Sequence, residues 1–225
     1  MASILFKDQD IVAVDKPEGL ATIPERNRDQ QCLLYELELQ LGQKLFIVHR
    51  LDKEVSGVVV FAKNAMAHKF LNEQFSKRTI DKTYVALVHG IMNKDSEIIR
   101  TPIRMFGSGR MGVDEKRGKE CTTSFQVQQR CAAFTLVQVH PLTGRRHQIR
   151  VHLYSIGHPI VGDRHYGNKI EQQQFPRLML HAMQIMLQLP DGTAKMIEAA
   201  VPGSFSQLYH KLHKQRYSQQ KYRRQ

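Results

Sequence analysis

The chain has 225 residues, 41% of them hydrophobic and 24% charged, which is ordinary for a soluble globular protein of one large or two small domains. Lys plus Arg number 33 against 21 Asp plus Glu, a net charge of +12 that favours a polyanionic partner, since each phosphate contact releases condensed counterions. Cys32, Cys121 and Cys131 are odd in number and form no C-x-x-C pair, so neither a disulfide framework nor a cysteine zinc site is indicated. MASILFKDQD does not read as a signal peptide and no stretch approaches the roughly 18 apolar residues that span a bilayer, so the cytoplasm is the expected compartment.

Ile11 to Val14 is a β-rich run stopped by the Pro/Gly turn Lys16-Pro17-Glu18-Gly19. A polar loop, residues 25–31, leads to Cys32–Gly42, where Leu33, Leu34, Leu37 and Leu41 recur at helical spacing and Gly42 is the stop. Leu45–Leu51 and Gly57–Phe61 read as two strands joined by Asp52-Lys53-Glu54-Val55-Ser56. Asn64 is placed to cap a helix carrying Ala67, Phe70, Leu71 and Phe75 on one face, and Lys82–Val88 alternates as a strand does.

Phe106–Glu120 is rich in glycine and cations and reads as a mobile loop. Strands are expected around Phe125–Val127 and Phe134–Val139, then the turn Pro141-Leu142-Thr143-Gly144. A helix over Arg145–Ile156 should follow, ended by Gly157 and Pro159. The tail from Tyr209 has little apolar content and reads as an exposed helix or a disordered arm. The whole predicts one α+β domain over residues 1–208 with a basic tail, 209–225.

Two segments concentrate polar residues where a scaffold could aim them. In His49-Arg50-Leu51-Asp52-Lys53-Glu54-Val55-Ser56-Gly57 the carboxylate of Asp52 sits at an expected strand end, although Asp and Gly are also ordinary turn residues. In Leu142–His152, Arg146 and Arg150 are four apart and would share a helical face. Arg145 and Arg146 at a helix N-terminus would oppose its dipole and need an anion, phosphate or carboxylate; a solvated basic face is the plainer explanation.

Together these segments resemble the signature of the RluA-like pseudouridine synthases, H-R-L-D-x-x-[TS]-S-G followed by L-x-T-G-R-x-H-Q-[LI]-R-x-H. Further matches are Asp15-Lys16-Pro17-Glu18-Gly19-Leu20, Lys82-Thr83-Tyr84-Val85-Ala86, Gly157–Asp163 and Leu178-Met179-Leu180-His181-Ala182, in the family's order over roughly residues 4–205. Val55 departs from the usual Thr, removing a hydroxyl beside the turn.

The resemblance implies a mixed, mainly antiparallel sheet with flanking helices and a central RNA-binding cleft. It also implies an enzyme that breaks the C1'–N1 bond of uridine, rotates the base and rejoins it through C5, with no metal and no cofactor. By resemblance Asp52 is the catalytic carboxylate, whether it attacks carbon or abstracts a sugar proton. Tyr84 stacks on the base and serves in the C5 proton transfer, and Arg150 pairs with the aspartate and keeps it ionised. Arg50 fills the space left by the flipped nucleotide, since a stacked uridine hides its C1'. Arg146 and His147 join it as RNA-binding residues, and Leu180 is an apolar pocket wall.

Two rivals are weighed against this. His147, His152, His158, His165 and His181 are close in sequence, but no H-E-x-x-H or H-x-H pattern makes them a metal hydrolase. A non-catalytic RNA-binding protein would account for the charge, yet not for Arg50, Asp52, Tyr84 and Arg150 together. The expected partner is structured RNA, a ribosomal or transfer RNA stem-loop, bound by a monomer. The separate N-terminal S4-type RNA-binding domain of many relatives is not expected. Part of its work falls to the tail, where Lys211, Lys214, Arg216, Lys221, Arg223 and Arg224 interleave with Tyr209, Tyr217 and Tyr222.

Overall fold

In the computed structural model, residues 2–24, 31–131 and 133–222 are described, with helix side chains as far as residue 213. The first half of the chain contains β1 (Ser3–Lys7), β2 (Ile11–Lys16), α1 (Leu33–Leu41), β3 (Phe46–Ile47), β4 (Ser56–Ala62), α2 (Ala65–Lys77) and β5 (Asp81–His89). Then come β6 (Ser96–Ile99), β7 (Ile103–Met105), β8 (Met111–Val113), β9 (Thr123–Cys131), β10 (Phe134–Pro141) and α3 (Gln148–Ser155). The chain ends with α4 (Lys169–Gln172), β11 (Leu180–Gln188), β12 (Ala194–Glu198) and α5 (Gly203–Tyr222). This is the expected α+β architecture, with mixed, mainly antiparallel strand pairing and flanking helices. No helix among the described residues is long and apolar enough to cross a membrane.

The residues divide into two compact units, Met1–Thr83 with His181–Ala200 and Tyr84–Leu180 with Val201–Gln225. In the first, β4 is the centre. Its sequence SGVVVFA is buried at every position, as a strand covered on both faces requires. β2 and β3 pair with β4 antiparallel, and β11 pairs with it in parallel through His181 opposite Ser56 and Ala182 opposite Gly57. That parallel approach dictates a glycine. A Cβ on Gly57, whose φ is +119°, would lie 2.1 Å from the Ala182 carbonyl oxygen.

The core of this unit joins Ile11, Val58 and Val60 of the sheet to Ala67 and Leu71 of α2 and to Ile185, Leu187 and Ile197. α2 begins as its sequence indicates, with Asn64 Oδ1 accepting from the Ala67 amide at 2.8 Å. α1 ends at Gly42 in the left-handed conformation, φ 66°.

In the second unit β5, β10, β9 and β6 form an antiparallel run in that order. The expected mobile loop after Phe106 contains structure instead. β7 and β8 pair as a hairpin, and Ile103 and Met111 are buried with Cys121, Val151 and Tyr166. The stretch beyond is closed by Asp114, whose Oδ1 accepts from the amides of Lys116 (3.0 Å) and Arg117 (2.9 Å) while Oδ2 meets Arg104 Nε at 2.6 Å. Counting glycines and cations overlooked the alternating apolar residues and this Asp-centred turn.

The tail is helical and starts earlier than expected, because α5 runs through residue 208 without a break. Phe205 and Leu212 are buried, the Tyr209 hydroxyl donates to Gln129 Oε1, and His213 Nε2 lies 2.8 Å from Gln129 Nε2. The Tyr209 hydroxyl is therefore engaged with β9. The side chains of Lys214, Arg216, Tyr217, Lys221, Tyr222, Arg223 and Arg224 lie outside the described residues. So does most of the polar loop expected at residues 25–31.

Candidate active site

The turn that carries Asp52 belongs to the first unit. The strand expected over Leu45–Leu51 is only Phe46–Ile47, so Asp52 lies in the 48–55 connection and not at a strand end. Side chains replace the missing ladder. His49 Nε2 accepts from the Val60 amide at 3.0 Å, and its ring stacks on Phe75 with centroids 5.0 Å apart. Burial, helped by the charge of Lys82, pushes the His49 pKa down to about 3, so the ring is neutral and serves as an acceptor. This histidine holds strand to turn.

Both neighbours of Asp52 are clamped. The buried Thr22 hydroxyl donates to the Leu51 carbonyl (2.8 Å) and accepts from the Leu51 amide (3.2 Å). The Lys53 carbonyl accepts from the Gly19 amide (2.8 Å) and from Lys16 Nζ (3.1 Å). Lys16 is fully buried at 0% exposure, and its ammonium also donates to the carbonyls of Pro17 (2.8 Å) and Leu20 (2.7 Å). The turn closes with the Val55 amide on the Asp52 carbonyl at 3.1 Å, leaving the carboxylate half-buried on a backbone fixed from both sides.

Val55 itself is buried, so a β-branched apolar residue suits the position. Ser56 Oγ then meets His181 Nδ1 at 2.9 Å, and His181 Nε2 lies 3.2 Å from the Ala199 carbonyl. Two motifs far apart in sequence thus meet at one hydrogen bond. Arg50 is exposed at the start of the turn.

Tyr84, Arg146, His147, Arg150 and Leu180 belong to the second unit. Tyr84 is half-buried on β5 opposite Val139, and Leu180 is buried at the start of β11. The helix expected from Arg145 begins only at Gln148, so Arg146 and Arg150 do not share a helical face. Gln148 explains the late start. Its Oε1 accepts from Thr143 Oγ1 (2.6 Å) and the Arg145 amide (3.0 Å), and its Nε2 donates to the Thr122 carbonyl (3.0 Å) and Thr123 Oγ1 (2.9 Å).

This network folds residues 143–147 into a turn. His147 takes the left-handed conformation, φ 54°, with Nδ1 2.9 Å from the Tyr166 hydroxyl. Arg145 and Arg146 are exposed ahead of the helix, so no cation is forced against its dipole. Arg150 is buried to 1%, and the anion it meets within the unit is Asp163, at 2.7 Å through Nε and 2.8 Å through Nη2.

Of the five histidines close in sequence, His147 and His165 lie together beside Tyr166, with ring centroids 5.7 Å apart, while His152 and His158 have other partners. His152 Nε2 meets the Thr101 carbonyl (3.0 Å) and Cys121 Sγ (3.1 Å), and burial lowers its pKa; His158 Nδ1 meets the His89 carbonyl (2.9 Å). Among the described residues no group of three His, Cys, Asp or Glu side chains is placed to hold a metal ion.

A family model described as RNA pseudouridylate synthase matches residues 10–155, well over half of the chain. The chain belongs to the RNA pseudouridine synthase family. It is thereby an isomerase acting on RNA. An uncharacterized RNA pseudouridine synthase of Aquifex aeolicus is 42% identical over 197 residues, 80% of this chain and 60% of that protein. The dual-specificity RNA pseudouridine synthase RluA of Vibrio vulnificus is 37% identical over 194 residues, 83% of this chain and 78% of that protein. Among solved structures, human RNA pseudouridylate synthase domain containing 4 superposes with a TM-score of 0.77 at 27% identity, covering 93% of this chain and 92% of that one.

For this synthase, reasoning from sequence assigned no role to Lys16, Thr22, Gln148, Asp163 or His181. Lys16, Gln148, Asp163 and His181 lie inside motifs already noticed, so position in a motif was their only signal. Thr22 had none.

Proposed function

We propose that this synthase converts uridines of structured RNA to pseudouridine with Asp52 as its catalytic carboxylate, acting as a monomer in the cytoplasm. The C1'–N1 bond of the flipped uridine breaks, the uracil turns in place, and C1'–C5 forms. The C5 proton leaves and N1 ends protonated, so the product is an isomer of the substrate. Tyr84 stacks on the base and serves the C5 proton transfer, and Arg150 acts as counter-ion to Asp52. Arg50 takes the place of the flipped nucleotide, Arg146 and His147 hold RNA, and Leu180 walls the base.

The observation that carries this reading is the clamp on Leu51 and Lys53, which fixes the backbone on either side of one half-buried carboxylate. A turn that served only to reverse the chain would need no buried ammonium to brace it. Both ribosomal and transfer RNA are proposed as substrate pools. One relative is a dual-specificity synthase and another, from Nitrosomonas europaea, a ribosomal large subunit synthase.

Asp52→Asn tests the role directly, since it removes the charge and keeps the shape. Pseudouridine formation in unmodified ribosomal and transfer RNA transcripts should fall at least a thousandfold while RNA affinity changes less than about threefold. Turnover near the wild-type rate would remove Asp52 from the chemistry. Mapping pseudouridines in cellular RNA with and without the protein identifies the target.

A further inference from the structure

We propose that Asp163 is a positioning residue for the isomerisation, fixing the guanidinium of Arg150 in the orientation its role demands. The inference rests on the reading of Arg150 given above. Arg150 and Asp163 are each 1% exposed, and they meet edge-on, Nε to Oδ2 at 2.7 Å and Nη2 to Oδ1 at 2.8 Å. Two parallel bonds set the plane of a guanidinium, whereas one would set only its distance.

Asp163 is itself immobilised. Its Oδ1 accepts from the amides of His165 (2.9 Å) and Tyr166 (3.2 Å), and its own amide donates to the Ile160 carbonyl (3.1 Å). The preceding Gly162 packs so closely that a Cβ would sit 1.8 Å from the Arg177 carbonyl oxygen, and its amide donates to Gln172 Oε1 at 2.6 Å. The Tyr166 ring supports the face of Arg150, centroid 5.4 Å from Cζ, and is anchored through its hydroxyl to His147.

Edge and face of one guanidinium are thus held by a single short segment, 162–166. A buried ion pair contributes little net stability relative to apolar packing, so stability alone is a weak reason to keep one. Orientation is a sufficient reason. A counter-ion must hold its plane to within roughly 10–20° to serve a carboxylate in a reacting geometry.

The test uses the full-length protein and C5-tritiated, unmodified transcripts of ribosomal and transfer RNA, with tritium release as readout. Asp163→Asn keeps the size of the side chain and an oxygen for the two amides, and turns an N–H donor toward Arg150. We expect kcat per folded molecule to fall at least tenfold with KM within threefold of wild type. The protected ¹⁵Nε–H resonance of Arg150 should shift or vanish. In an Arg150→Lys background, Asp163→Asn should cost no further activity, because residues acting through one another are not additive.

A wild-type kcat for Asp163→Asn overturns the proposal, and so do losses that multiply in the double variant. If Arg150→Lys alone retains full activity, or if wild-type protein releases no tritium, the underlying reading fails and takes this inference with it. Should Asp163→Asn not fold, Gln172→Leu withdraws the acceptor from Gly162 and leaves the ion pair chemically intact. A threefold or greater drop in kcat at unchanged KM supports the proposal there, and a wild-type kcat overturns it.

Discussion

His49 makes the stability of this fold depend on pH in a way that can be worked out. In the folded protein its pKa lies near 3, against 6.5 for an ordinary histidine. Between those values the unfolded chain carries a proton that the folded one does not, so acid favours unfolding. The contribution is whole above pH 6.5 and is lost progressively as pH falls toward 3. From pH 7 to pH 5 the loss from this one ring is about 2 kcal/mol, a factor of roughly 30 in the folding equilibrium. The variant His49→Gln keeps an acceptor for the Val60 amide but cannot titrate. Urea unfolding followed by far-ultraviolet circular dichroism at both pH values should show wild type losing about 2 kcal/mol more than the variant. His152, whose pKa is also lowered by burial, is common to both proteins and cancels in the comparison. Equal losses in the two proteins would mean that burial does not lower the His49 pKa and that losing the Val60 bond on protonation costs the fold little.

Two further perturbations test the frame that carries the site. Gly57→Ala places a methyl within 2.1 Å of the Ala182 carbonyl at a φ of +119°, and should cost about 3 kcal/mol or more in urea unfolding; a loss below about 1 kcal/mol would show that β4 and β11 can separate cheaply. Truncation after His213 removes Lys214, Arg216, Lys221, Arg223 and Arg224 while sparing Tyr209, Leu212 and their contacts. RNA binding measured from about 50 to 200 mM salt should then show a flatter dependence with kcat unchanged, and an identical salt slope would leave the tail without a part in RNA binding.

Local chemistry made much of this protein legible before its fold was known. The apolar run of β4, the Asn64 cap, Gly42 after α1 and the alternation of β5 and β10 are properties of neighbouring residues, and the secondary structure follows them. The family was legible for the same reason, since its motifs are contiguous strings. The loop after Phe106 was misread from local signals, the Asp114 turn among them, whereas two other segments went astray because of distant partners. Arg145–His147 read as helix because nothing nearby forbids it, but Gln148 reaches Thr122 and Thr123 on β9 and folds the segment into a turn. Leu45–Leu51 read as strand, but the Thr22 hydroxyl and the His49 ring take the bonds that a ladder would have used.

The sequence by itself therefore determined the elements whose pattern is local, β2, β4, β5, β10, α1 and α2 among them, and which short strings carry polar chemistry, because those depend on periodicity and on residues adjacent in the chain. Only the tertiary structure decided that Lys16 braces the Asp52 turn, that His181 holds Ser56 and that Asp163 takes one edge of Arg150. The physical reason is that burying an ammonium, an imidazole or a guanidinium demands partners, and the folded backbone selects them without regard to distance along the chain.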